Sequence, residues 1–478
     1  MHLIHPQAFH SRRAFLRRSG QLALAGGALP LALNLAAMGE AAAFDATDYK
    51  ALVCVFLFGG NDYANTVVTY DEASHARYSA IRGGIALPRA DLAATLLTPG
   101  TPLPGARQYA LHPSMSGLAG LFNSGKAAVQ LNVGPLVVPL TRAQYQSGDR
   151  RSFPLPPKLF SHNDQQSVWQ SSSPEGATVG WGGHLGDLAL SGNGNALFTC
   201  ISVSGNAVFL SGDTALQYQV SSGGAVGING VKSNVYGSAA VRAALGQLIQ
   251  QPRTQVLENE YNRVTARTIG AESQITGALG AATLATPFPA GNSLASQLQT
   301  VARLIGGRSA LGARRQVFFV SLGGFDLHDN LLAQQPVLMD RLSSAMTAFY
   351  NATVELGVAN QVTAFTASDF GRTLSSNGDG SDHGWGSHHL VVGGAVRGGA
   401  FYGTAPPVSV TSTAAAEDQW HVGQGRLLPS TSVDQYAATL ARWFGVADAE
   451  LAGVLPNLRN FGAAAARPDY PTNLGFLG

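Results

Sequence analysis

The 478-residue chain is 45% apolar and only 12% charged, which supports a large buried core and excludes a wholly disordered protein. Its length suits one large α/β domain, or such a domain with an inserted subdomain. The formal net charge of +2 falls to −1 once residues 1–43 are set aside, because 26 bases then face 27 acids. Nucleic-acid binding driven by phosphate neutralisation is therefore not expected.

The N-terminus matches the pattern of an export signal. Residues 11–16, Ser-Arg-Arg-Ala-Phe-Leu, match the twin-arginine pattern, an uncharged run follows over 20–37, and 41–43 are three alanines that suit cleavage. The alternative is a membrane anchor, but the run is rich in glycine and alanine and contains Pro30. We expect 1–43 to be a cleaved signal peptide, read by the twin-arginine export machinery. The mature protein would then be periplasmic or secreted, with no later stretch of the roughly 20 apolar residues that a membrane span needs.

Two cysteines remain, Cys54 and Cys200. An oxidising compartment permits a disulfide between them, but the apolar run around Cys54 favours two buried thiols. Neither cysteine begins a C-x-P-x-R sequence, so the modified cysteine nucleophile of classical sulfatases is absent.

The first predicted strand is the continuous apolar run 51–58, which is typical of a central strand covered on both faces. Two glycines and Asn61 then lead to Asp62, at the carboxyl edge where open α/β sheets bind ligands. The alternative is that Asn61 and Asp62 only cap a turn. A further strand is predicted at 127–133.

Within the stretch 160–169, Ser161 is predicted to be the N-cap of a helix. A serine there has its hydroxyl beside free backbone N–H groups, which favours an oxyanion or phosphate, although a plain N-cap is the usual role. His162 is either a nearby ligand or a surface residue.

The middle of the chain has a different composition. Residues 191–236 are rich in Gly, Ser, Asn, Val and Thr and predict β-hairpins and loops, whereas 238–283 and 291–306 have helical spacing. We interpret 191–310 as an insertion or a helical cover on one face of a single domain that spans 44–478.

The last third holds the best-placed polar residues. A predicted strand at 317–323 is followed by Asp326 and His328, and a crossover helix is predicted over 335–356. The strand predicted at 361–367 is followed by Asp369.

Two more histidines come close behind these strands. His383 follows a Gly-rich turn, and His389 precedes a short strand predicted at 390–394. Carboxylates and imidazoles gathered at strand ends are what a divalent metal needs. The whole pattern predicts an open, mostly parallel α/β sheet with a metal site at its carboxyl edge.

These segments together resemble the DUF1501 family of exported bacterial proteins. The matching stretches are 58–62 (FGGND), 161–169 (SHNDQQSVW), 180–182 (GWG), 323–328 (GGFDLH), 368–373 (SDFGRT) and 382–388 (DHGWGSH). The family looks like a remote branch of the alkaline phosphatase/sulfatase superfamily. That resemblance implies a doubly wound α/β core, a nucleophilic Ser or Thr at a helix start, and one or two metals held by Asp and His.

The resemblance also assigns roles to single residues. Asp62 matches the carboxylate after the first strand, and Ser161 is the best match for the nucleophile. Asp326 and His328 resemble the D-x-x-x-H metal pair, with a spacing of two residues instead of four.

Asp369 resembles the aspartate of the phosphatase D-H-G motif, yet Phe370 stands where its histidine should be. His383 or His389 would supply the later histidine of the superfamily. Arg372 would stabilise the equatorial oxygens of the reacting group bidentately.

Two hypotheses follow from the sequence. The first is an exported metal-dependent hydrolase of phosphate or sulfate esters, in small molecules or glycans, which uses a divalent ion (Zn, Mn, Mg or Ca). The second is a non-catalytic exported binding or assembly protein on a degraded phosphatase-like fold.

Overall fold

The computed structural model describes residues 48–478. The predicted signal peptide, 1–43, lies outside these residues. Within the described part of the chain, no helix is both long enough and apolar enough to cross a bilayer.

The core is one large, mostly parallel β-sheet. The strands of the described residues are, in chain order, β1 (Lys50–Leu57), β2 (Val67–Thr69), β3 (Tyr109–Leu111), β4 (Ala127–Gly134), β5 (Cys200–Ser202), β6 (Gln217–Ser221), β7 (Gly224–Ala225), β8 (Arg315–Leu322), β9 (Val362–Ser368), β10 (Arg372–Ser376), β11 (Ser381–His383), β12 (Ser387–Gly393), β13 (Ala400–Tyr402) and β14 (Thr431–Ser432). The large sheet has the order β13-β4-β12-β9-β1-β8-β5-β6-β7, and β14 also pairs with β4. Strands β9, β1, β8, β5 and β6 run parallel, while β12 is antiparallel to both β9 and β4. The predicted α/β fold is confirmed.

Helices connect the strands and form the outer layers. They are α1 (Tyr63–Thr66), α2 (Glu72–Arg82), α3 (Ser116–Asn123), α4 (Arg142–Gln146), α5 (His162–Ser171), α6 (Trp181–Ala189), α7 (Asn229–Lys232), α8 (Ala239–Leu248), α9 (Val256–Ala281), α10 (Ser293–Gly306), α11 (Leu331–Glu355), α12 (Val433–Phe444) and α13 (Asp448–Val454). The crossover helix predicted from the apolar stripe at 335–356 is α11.

The sheet has a helical layer on each face, and β1 shows why its sequence is continuously apolar. Successive side chains of a strand point to opposite faces. Val53 and Val55 belong to the core beneath α10 and α11. Leu52, Cys54 and Phe56 belong to the core beneath α6 and α12. Since each buried apolar side chain of this size contributes about 1.5–3 kcal/mol, both faces stabilise the strand.

The two cysteines lie on different strands of this sheet. Cys54 is on β1 and Cys200 on β5, and both are buried free thiols, as expected from the sequence. Burial raises the pKa of both thiols, which keeps them protonated and unreactive.

The region 191–310 is only partly separate from the sheet. Its strand β5 pairs in parallel with β8, through Cys200 opposite Val317, and β6 continues the sheet beyond β5. The hairpin expected in 191–236 is the short β6–β7 pair. The Gly/Ser-rich composition did not distinguish a short parallel strand from a hairpin, because the partner strand is more than a hundred residues away.

Strands β1, β8 and β9 end at the same level. Leu57 pairs with Leu322 of β8 and with Ser368 of β9. The segments that follow therefore leave the sheet side by side, at its carboxyl edge. Gly59 lets them approach closely, because it adopts φ +116° and its amide donates a hydrogen bond to Asp369.

We predict that Gly59→Ala lowers the free energy of unfolding by about 2–5 kcal/mol. A Cβ at this position would overlap the backbone nitrogen of Asp326, and alanine would be strained at this φ. Gly323→Ala is the matched control, because its Cβ would meet no atom within 4 Å. Urea unfolding followed by circular dichroism measures both, and equal stabilities would contradict the prediction.

Candidate metal and active site

Four polar side chains meet at the carboxyl edge of the sheet. His162 is the first residue of α5, and His383 is the last residue of β11. Asp326 and His328 lie in the loop after β8. Three of the four, Asp326, His328 and His383, were predicted from the sequence as metal ligands.

Asp326 is the centre of this cluster. Its Oδ1 lies 3.1 Å from His328 Nε2 and 3.2 Å from His383 Nε2. Its Oδ2 lies 3.4 Å from His162 Nε2. The ligand atoms of a tetrahedral ion with bonds of about 2.0–2.1 Å are about 3.3 Å apart, which is close to each of these separations. Ligand atoms of His162, Asp326 and His383 also all lie within 4.8 Å of one another.

Asp369 holds the His162 imidazole in place. This fully buried carboxylate accepts hydrogen bonds from His162 Nδ1 at 2.7 Å, Gln166 Nε2 at 2.8 Å and the Gly59 amide at 3.1 Å. The hydrogen bond to Asp369 raises the pKa of His162. The other nitrogen, Nε2, is buried and has no hydrogen-bond partner among residues 48–478.

His383 and His328 are held in the same way. His383 Nδ1 donates to the Phe160 carbonyl at 2.7 Å, and His328 Nδ1 donates to Asp382 at 3.3 Å. With Nδ1 protonated, the Nε2 atom of a neutral imidazole carries the lone pair. Metal-ligating histidines in proteins have this arrangement, with the second nitrogen donating to a carboxylate or a carbonyl.

The Nε2 atoms of His328 and His383 are 3.0 Å apart. Burial lowers the pKa of His383, which keeps its imidazole neutral at pH 7. A proton shared between these two nitrogens would satisfy this contact, and so would a divalent ion bound to both. The Nε2 atom of His162, which makes no hydrogen bond and lies 3.4 Å from Asp326 Oδ2, also fits a divalent ion at this position.

Arg372 forms an ion pair with Asp326. The guanidinium is fully buried, and its Nη1 donates to Asp326 Oδ1 at 2.7 Å and to the Gly59 carbonyl at 3.2 Å. Its Nη2 donates to the Ser381 carbonyl. Burial tends to raise the pKa of Asp326, but the hydrogen bond and charge of Arg372 outweigh it and hold that pKa below its usual value. The terminal nitrogens of Arg372 are thus engaged by protein oxygens, and contact with an ester stays a prediction.

The structure does not bring Asp62 into the cluster. One of its oxygens accepts from Arg82 Nη2 at 2.7 Å and from Ser381 Oγ at 2.7 Å, and the other caps α1 through the Asn65 amide. Both Asp62 and Arg82 are buried. Asp62 therefore has the capping role that the sequence left as an alternative. Its carboxylate is paired with Arg82 of α2, which the sequence did not indicate.

His389 also lies apart from the cluster. It is buried on β12, 4.8 Å from the ring of Trp169, and its Nδ1 is 3.3 Å from Thr366 Oγ1. Burial lowers the pKa of His389 to about 3. It is a core histidine, and His383 is the one that reaches the site.

Ser161 occupies the N-cap position of α5 without capping it. Its hydroxyl donates to Asp164 Oδ2 at 2.9 Å, and this buried carboxylate also has Lys158 Nζ at 3.4 Å. The preceding residue, Phe160, has φ +73°, an uncommon conformation for a bulky side chain that points to a functional constraint. Phe160 thus precedes Ser161 directly, and its carbonyl accepts the hydrogen bond from His383 Nδ1.

Phe370 forms an apolar wall of the site. Its ring centroid lies 4.9 Å from that of His162 and 4.6 Å from that of His383. Phe370 therefore packs against two of the candidate ligands.

A second group of the same residue types, His184, Asp187 and Asp213, lies elsewhere. Both oxygens of Asp187 accept backbone N–H groups from the loop 213–215. This aspartate therefore holds a loop.

Several residues of the site are not predicted by the sequence. The sequence leaves His162 open between a ligand and a surface residue, and it indicates no role for Gln166, Asp382 or Phe160. One signal was available: His162 and Gln166 are four residues apart at a helix start, so both face the same side.

Comparisons with known proteins give a family and a few distant structures. A family model described as "Protein of unknown function (DUF1501)" matches residues 49–454. No curated protein matches the sequence.

Ps i-CgsB, in complex with k-i-k-neocarrahexaose, is a similar solved structure. It has 9% identity and a TM-score of 0.36, and the match covers 89% of this chain and 78% of its own. A Bacteroides thetaiotaomicron protein from a locus for the metabolism of multiple glycosaminoglycans has 9% identity and a TM-score of 0.33, over 84% and 74%. The alkaline phosphatase from the Antarctic bacterium TAB5 has 10% identity and a TM-score of 0.30, over 73% and 92%.

We predict that Asp62→Asn lowers the free energy of unfolding by about 3–5 kcal/mol, because it leaves the buried Arg82 cation unpaired. Glu260→Gln is the control: Glu260 pairs with Arg263 and Arg267 at the surface, where such pairs contribute about 1 kcal/mol or less. Denaturant unfolding of both variants makes the comparison. An Asp62 variant as stable as the control would refute the structural role.

Proposed function

The chain belongs to the DUF1501 family, and we propose that it is an exported, metal-dependent hydrolase of phosphate or sulfate esters. The ion would be held by His162, Asp326, His328 and His383. The observation that carries the proposal is the convergence of three imidazole Nε2 atoms on one ionised carboxylate. Export rests on the twin-arginine pattern at 11–16.

The donor set favours some ions over others. Three imidazoles and one carboxylate suit a borderline ion such as Zn²⁺ or Mn²⁺, whereas Mg²⁺ and Ca²⁺ prefer oxygen ligands. When bound, such an ion would polarise an ester oxygen and lower the pKa of a nucleophile beside it. The resemblance to phosphatases implies a histidine at position 370, whereas Phe370 packs against His162 and His383 and offers no metal ligand, which supports a site for one ion.

The residues of the chain supply the remaining chemistry. Ser161 is the proposed nucleophile, since it precedes His162 directly and lies at the start of α5. Asp164 would accept the Ser161 proton, because the hydroxyl already donates to it at 2.9 Å. Arg372 keeps Asp326 ionised, and Asp369 orients His162.

We predict that the mature protein, purified without added metal, contains about one divalent ion per chain and that Asp326→Asn and His162→Ala lose it. Affinity should fall as the pH drops, because only a neutral imidazole binds a metal, and the raised pKa of His162 places the start of that fall above the ordinary histidine value of about 6.5. His184→Ala is the control, since His184 belongs to the second group, with Asp187 and Asp213. Elemental analysis by mass spectrometry measures the content. A wild type that neither contains nor takes up Zn²⁺ or Mn²⁺ would exclude the proposal.

We further predict that Ser161→Ala reduces the hydrolysis of p-nitrophenyl phosphate or sulfate to background. Asp164→Asn should reduce it by roughly 10²-fold or more, because the proton acceptor is lost. Ser171→Ala, on the same helix, is the control. Full activity in the Ser161 variant would remove the nucleophile. A metal-loaded wild type without any turnover would instead favour the non-catalytic binding or assembly protein.

A further inference from the structure

We infer that Arg426 binds the anionic group of the ligand at this site and so determines its specificity for a tetrahedral oxyanion. The inference rests on the proposed function, because it places the anion beside the four candidate metal ligands. It names an arginine other than Arg372, whose terminal nitrogens are engaged by protein oxygens.

Arg426 is fixed next to the candidate ligand His383 by three linked contacts. Its Nε donates to the His383 carbonyl at 2.7 Å. Its guanidinium carbon lies 5.4 Å from the centroid of the Phe160 ring, in a cation–π contact. The Phe160 carbonyl in turn accepts from His383 Nδ1. The guanidinium is therefore oriented before any ligand arrives.

The terminal nitrogens of this guanidinium are available to bind an anion. Within residues 48–478, neither terminal nitrogen of Arg426 makes a hydrogen bond or an ion pair, although the side chain is half-buried. Asp382 is near enough to act on it electrostatically, but that carboxylate accepts from Asn377 and His328 instead.

Two parallel N–H donors in one plane match two oxygens of a phosphate or sulfate group. A half-buried cation with unused donors is stabilised when such an anion binds. Lysine would keep the charge but lose the paired donors, so it should restore binding only in part.

The test is the affinity of the metal-loaded mature protein for inorganic phosphate and for inorganic sulfate, measured by isothermal titration calorimetry. We expect Arg426→Gln to bind the preferred anion roughly 10–100-fold more weakly, with Arg426→Lys in between. Whichever of the two anions loses more affinity identifies the ester class. Metal content and the thermal midpoint of each variant are measured on the same samples.

Arg89→Gln is the matched control. Arg89 has the same local geometry, with Nε donating to the Tyr70 carbonyl at 2.7 Å and the guanidinium 4.6 Å from the Tyr70 ring, but it lies outside the cluster. Its anion affinity should equal that of the wild type.

The outcomes separate this inference from the proposed function. An Arg426→Gln variant that keeps its metal, its thermal midpoint and its anion affinity would overturn the role of Arg426 while the hydrolase stands. Loss of metal in that variant would also overturn it, because Arg426 would then act only by positioning His383. Weaker anion binding with metal retained supports the inference even in a protein that hydrolyses no ester.

Discussion

The ion pair between Arg372 and Asp326 is the interaction on which the candidate site depends. A fully buried guanidinium is costly by several kcal/mol unless an anion pairs with it, and Asp326 is that anion at 2.7 Å. The pair joins the loop after β8 to β10, and β11 pairs with β10. His328 and His383 come from these two segments, so the same contact that neutralises Arg372 also gives the imidazoles a common centre.

Much of this site could be predicted because its signals are local. The apolar runs of β1, β8 and β9 indicated parallel central strands, and their ends placed Asp326, His328 and Asp369 at one edge. The motifs over these ends also indicated the DUF1501 family, which the match over 49–454 confirms. In each case the property depends on residues a few positions apart, which a single sequence displays.

The errors arose where a long-range partner decides the role of a residue. Asp62 follows β1 as a ligand would, yet Arg82, on a helix that the sequence did not single out, takes its carboxylate. His389 follows the other histidines in sequence, but the alternation of side chains along β12 turns it into the core beside Trp169. Conversely, His162 lies at the site because of where α5 packs in the folded chain.

The strand pairing also has a consequence for how the protein is made. Residues 50–57 of β1 pair with β8 and β9, whose residues lie 265 and 311 positions later in the chain. Contacts of such sequence separation slow folding and leave apolar strands exposed for longer. The ribosome must therefore synthesise the chain as far as Ser368 before β1 has both of its neighbours, and until then this apolar strand lacks the partners that cover its edges.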